Sequence, residues 1–127
     1  MKPITEIEPI TDKEMEDEFI KEMKANDAHT AAIEAQLPAA LRTLLALATG
    51  SPHRRYGIAA AEILRAAHHK SGAVETSNLG SLDPDNRRAA MIVLEACARP
   101  SILSDRGLVF DGAGNPRLTA DEVQLIA

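Results

Sequence analysis

The sequence predicts an all-α fold, a compact bundle of four to five helices with a minor C-terminal β-hairpin and an acidic N-terminal arm. Three observations predict it. The apolar share of 45% is built from Ala, Leu and Ile, with no Trp, one Tyr and two Phe, so strand formers are scarce. Apolar residues recur at three- and four-residue spacings across most of the chain. Helix-starting signals stand in front of those stretches at Thr11, Ser51, Asp83 and Thr119.

Taken in order, Met1 to Ile10 alternates Ile and Glu between Pro3 and Pro9 and suits an extended arm. Thr11 and Glu14 have the spacing of a capping box, and Met15, Phe19 and Met23 make the apolar stripe of a short acidic helix. Asn26-Asp27 reads as a break and new cap, after which Ala28 to Leu37 is helical again up to Pro38, which either starts a helix or kinks one. The chain therefore divides into an arm and helix over 1–36 and a helical domain over 37–127.

The centre of that domain is the stretch from Pro38 to Lys70. Leu37, Leu41, Leu44, Leu45 and Ala48 form one helical face. Gly50 should end that helix, Ser51 should cap the next, and Pro52 suits its first position. On the second helix Tyr56, Ala60, Ile63, Leu64 and Ala67 gather on one side, and Arg54, Arg55, Glu62, Arg65 and His69 on the other. Gly72 closes it.

From Ser71 to Leu82 the composition is that of a loop pinned by Leu79 and Leu82. Asp83-Pro84 opens a helix that runs to Pro100, apolar on all sides from Ala89 to Leu94 and so a candidate for the central buried helix, with Glu95 and Arg99 paired at i, i+4. Leu108 to Phe110 and Arg117-Leu118 flank a Gly-rich loop as a two-stranded hairpin would. Thr119 and Glu122 form a second capping box before the last short helix.

The formal charge of −5 is unevenly spread. Residues 1–36 hold ten acids and four lysines, while the remaining residues hold nine acids and ten bases, of which only Lys70 is not Arg. The planar, permanently charged guanidinium suits carboxylate or phosphate. Two faces follow as candidate partner-binding surfaces: Arg54, Arg55, Arg65 and His69, with Arg87 and Arg88 nearby, and the acidic face of residues 12–22, including Glu14, Asp17 and Glu18.

No catalytic or metal-binding pattern emerges, so no catalytic residue, cofactor or metal is expected. His68 and His69 are adjacent and point about 100° apart on a helix, and the lone Cys97 lies in the most apolar helix with no CxxC partner. Gly112-Ala-Gly114 lacks the further Gly or Lys of a phosphate loop and reads as a turn. With one cysteine, no apolar leader and no run of about 18 apolar residues, a cytoplasmic protein without a membrane role is expected. A protein partner is expected. A helix-turn-helix DNA reader is the alternative, opposed by the acidic net charge and by the absence of Asn, Gln or Ser in the middle of the Arg-bearing helix. A helix apolar on all sides in so small a chain also leaves room for a homodimer.

The stretch LRTLLALATGSPHRRYGIAAAEILRAAHHKSG, followed by NLGSLDPDNRRAAMIVLEA, resembles small uncharacterised helical proteins of proteobacterial plasmids and integrative conjugative elements. The likeness covers residues 41–96: a leucine-rich helix, a Gly-containing turn before basic residues, an alanine-rich helix, and a Leu-x-x-Leu-Asp loop into another helix. It implies a bacterial, mobile-element setting and a binding role. No activity comes with it.

Overall fold

A computed structural model describes residues 11–103 and 106–126, and it is all-helical. The extended arm read into residues 1–10 lies outside the described residues. The helices are α1 (Asp12–Gly50), α2 (Arg55–His69), α3 (Thr76–Leu79), α4 (Pro84–Cys97) and α5 (Ala120–Ile126). α1 packs against both α2 and α4, and α5 closes on α1 and α2.

α1 begins at the capping box: the Glu14 N–H donates to Thr11 Oγ1 and the Thr11 N–H to the Glu14 carboxylate. It then continues for 39 residues. The expected break at Asn26-Asp27 does not occur, because Asn26 uses its side chain to accept from Arg99 Nη1 at 2.7 Å instead of turning back onto its own backbone. Pro38 lies inside the helix. The boundary drawn at residue 36 therefore falls within α1, and Ile33 on its N-terminal side is buried with the rest of the core.

α1 ends at Gly50 as the sequence suggested, but α2 starts three residues later, with its N-cap at Arg54 and not at Ser51. Ser51 is the C-terminal cap of α1, donating its N–H to the Leu47 carbonyl, and Arg54 stands at the N-cap of α2 with no side-chain cap bond. Gly57 explains the shift. A Cβ there would sit 1.7 Å from the Ser51 carbonyl oxygen, so the first turn of α2 rests directly on the backbone of the turn. At the other end Lys70, not Gly72, adopts the left-handed cap with φ 59°.

The core is the inner face of these helices: Leu37, Leu41 and Leu44 from α1, Ala60, Ile63 and Leu64 from α2, Ala90, Val93 and Ala96 from α4. By length and composition α1 could span a bilayer; its leucines are instead buried against α2 and α4. α4 is capped by Asp83, whose carboxylate accepts from the Asn86 N–H at 2.8 Å. It is not buried all round, since Met91 is 59% exposed. Its inward face is alanine and valine, small enough for the helices to approach closely.

The predicted hairpin does not form; an isolated bridge joins Phe110 and Pro116. Leu108 and Val109 are both buried in succession, which a pleated strand with one covered face would not allow. The Arg117 guanidinium takes the Leu108 and Phe110 carbonyls at 2.8 and 2.7 Å, and the Asp111 carboxylate takes the Ala113 and Asn115 N–H groups. Backbone pairing stops at two bonds, the Asp111 N–H to the Asn115 carbonyl and the Arg117 N–H to the Val109 carbonyl, because the Asn115 N–H and the Arg117 carbonyl are held by the Asp111 and Arg42 side chains. Thr119 and Glu122 close the second capping box as expected.

Candidate partner-binding surfaces

α2 sorts its side chains by the 3.6-residue period. Ala60, Ile63, Leu64 and Ala67 are buried, Tyr56 is half-buried, and Arg54, Arg55, Arg65 and His69 are exposed. Glu62, expected among the exposed charges, turns instead to the loop before α4, accepting from the Glu75 N–H at 2.7 Å and from Asn78 Nδ2 at 3.4 Å. Half-buried and committed to that loop, it leaves the outer face of α2 basic.

Of the chain's other arginines, five are engaged by the body, and Arg88, exposed on α4, has no side-chain hydrogen bond or ion pair among the described residues. Arg42 reaches Glu122 on α5 at 3.2 Å. Arg99 pairs with Glu95 at 3.0 Å, the i, i+4 contact the sequence predicts, and also donates to Asn26 and Thr30. Arg87 donates to the Leu82 carbonyl. Arg117 is nearly buried and pairs with Glu34 at 3.0 Å while holding the two loop carbonyls. Arg106 lies over the Phe110 ring, 3.7 Å from its centroid. Among the described residues no side-chain hydrogen bond or ion pair engages the guanidinium groups of Arg54, Arg55 and Arg65.

Electrostatics agree with the geometry. The Thr119 N–H and then Arg42 hold the Glu122 carboxyl below its ordinary range, and the Asn115 and Ala113 N–H groups do the same for Asp111. Burial, assisted by His69 beside it, lowers His68, whose Nδ1 is buried without a hydrogen-bond partner among the described residues. Burial raises the Cys97 thiol, which favours its protonated form. Among the described residues no three His, Cys, Asp or Glu side chains gather as a set that could hold an ion.

The acidic part of α1 is exposed on every side, its apolar stripe included. Every residue from Thr11 to His29 is exposed, Glu14, Asp17 and Glu18 among them. This part of α1 does not fold back over α2, and the Arg face and the acidic face are separate surfaces. Met15, Phe19, Ile20 and Met23 are 57, 62, 49 and 47% exposed. A shallow groove of about 430 Å³ lies between α1 and α4, walled by Ala35, Ala39, Thr43, Arg88 and Ile92.

Sequence reasoning missed the clamp of Arg99 on Asn26 and Thr30, and the role of Arg117. Asn26, Thr30 and Ile33 continue at heptad spacing from Phe19 and Met23, a signal that could have identified one continuous helix. No sequence signal marks Arg117 as an internal organiser. Comparison of the chain with protein-family models, with curated proteins and with solved structures finds no match.

Proposed function

We propose that the protein is a non-enzymatic protein-binding module, an adaptor or inhibitor, that engages an acidic partner through the outer face of α2. The observation that carries this reading is the division among its arginines. Arg42, Arg87, Arg99 and Arg117 are held by carboxylates and carbonyls of the body, whereas Arg54, Arg55 and Arg65 extend from α2 into solvent. An arginine kept off its own carboxylates retains its five donors for a foreign carboxylate or phosphate. The bacterial mobile-element setting implied by residues 41–96 suits an accessory protein that acts by binding.

One observation favours a second reading, a helix-turn-helix DNA-binding regulator. Arg54 and Arg55 sit at the N-terminus of a helix that follows a short turn, where a recognition helix carries its contacts. Capture from bacterial lysate on the tagged chain, with and without nuclease, separates the two. A protein retained after nuclease supports the adaptor or inhibitor reading. Loss of everything bound on nuclease treatment supports DNA. Three phosphate contacts by these arginines would then make affinity fall about fortyfold between 50 and 200 mM salt.

A further inference from the structure

α1 carries one stripe along its whole length. Phe19, Met23, Asn26, Thr30, Ile33, Leu37, Ala40 and Leu44 follow one another at alternating spacings of four and three, the heptad pattern of helix pairing. From Ile33 onward the stripe is buried against the body. At Asn26 and Thr30 it is polar, and Arg99 at the end of α4 closes over it with bonds of 2.7 and 2.8 Å. Beyond that clamp the body ends. The same face continues for about 20 Å of helix with Phe19 and Met23 in the seam and Met15 and Ile20 beside it, exposed.

We propose that a second copy of this chain covers this stripe, the two projecting segments of α1 packing antiparallel to form a homodimer. The seam already exists as the interface of α1 with α4, and α4 runs antiparallel to α1: Arg99, just past the C-terminus of α4, meets Thr30, while Arg88 and Ala89 lie beside Ala39 and Thr43. A partner segment antiparallel to α1 therefore continues the line of α4 past its end.

Charge selects the orientation and the occupant. Residues 12–18 hold five acids and one lysine, whereas residues 19–29 hold Lys21 and Lys24 against Glu22 and Asp27. Parallel pairing would set the two acidic ends side by side. Antiparallel pairing sets each acidic end against the half that carries Lys21, Lys24 and His29 of the other copy. With Phe19 of one copy opposite Met23 of the other, Ile20 meets its own copy and Lys13 lies near Asp27. The chain's own first ten residues fit poorly as the cover, since Glu6 and Glu8 bring like charge to Glu14 and Glu18. This interface is separate from the Arg face of α2, and the dimer would present that face twice.

The test is sedimentation equilibrium of the full chain, with Phe19→Asp and Met23→Asp combined as the variant. The wild type is expected at twice 13.6 kDa. The double variant, altered only at exposed positions, stays folded by circular dichroism, melts below the wild type because it lacks the stabilisation of the dimer, and dimerises at least about a hundredfold more weakly. A monomeric wild type overturns the proposal and leaves the stripe to a foreign protein. A dimer untouched by the double substitution overturns it as well. Orientation is read in a Cys97→Ser background by mixing Lys13→Cys and Asp27→Cys chains with a short bismaleimide. Cross-links between the two kinds of chain are expected, and cross-links confined to like chains contradict the antiparallel arrangement.

Discussion

Gly107 ties the C-terminal segment to the end of α2. Its φ is +80°, and a Cβ would meet the His68 and Ala67 carbonyl oxygens at 2.4 and 2.6 Å, while the next N–H, of Leu108, donates to the Ala67 carbonyl. Both the conformation and the space require glycine. Gly107→Ala should therefore destabilise the fold by more than about 2 kcal/mol in urea unfolding. Arg117 is the second such residue. Its nearly buried guanidinium satisfies the Leu108 and Phe110 carbonyls, so Arg117→Met should cost about 3 kcal/mol by the same measurement, leaving buried acceptors without a donor. His68 adds a pH dependence. Because burial lowers its pKa in the fold from 6.5, the unfolded chain takes up a proton first as pH falls. Stability is thus unaffected by His68 above about pH 7 and is lost as pH falls through 6.5 toward the lowered folded value. The urea midpoint should drop from pH 7.5 to 5.5 in the wild type and drop less in His68→Gln.

At the scale of elements, α1 is one helix with two unlike halves. The C-terminal half is the core of the fold; the N-terminal half stands outside it as far as the Arg99 clamp. Within the buried half Pro38 interrupts the backbone ladder, removing the N–H that would donate to the Glu34 carbonyl. Its half-buried ring contributes about 1 kcal/mol of packing, against about 3 kcal/mol for proline in a helix interior. Pro38→Ala should therefore raise the thermal midpoint by several degrees; a lowered midpoint would mean that the ring's contact outweighs the helix term. Helix starts were legible in the sequence wherever a side chain caps its own helix, as at Thr11, Asp83 and Thr119. They were not legible where tertiary contact decides. Asn26 reads as a cap until Arg99, 73 residues away, claims its side chain, and Ser51 reads as a cap until Gly57 brings α2 down onto its carbonyl. The hairpin stopped short for the same reason, the Asn115 N–H and the Arg117 carbonyl being held by the Asp111 and Arg42 side chains.

At the scale of the whole molecule, charge separates the surface into two parts. The acidic N-terminal half of α1 projects from the body, and the arginines of α2 face solvent elsewhere. The basic side of α2 was legible from helical periodicity alone, because Arg54, Arg55, Arg65 and His69 needed only the 3.6-residue repeat to be placed together. That they lack internal partners was not legible, since it depends on where Glu34, Glu95 and Glu122 point. A partner would use that freedom, so the most direct measurement compares the wild type with the combined Arg54→Ala, Arg55→Ala and Arg65→Ala variant in capture from nuclease-treated lysate, with circular dichroism on both. A variant that melts like the wild type and no longer retains the partner is the predicted result. A folded variant that retains the same partner undiminished would contradict the assignment of the α2 face.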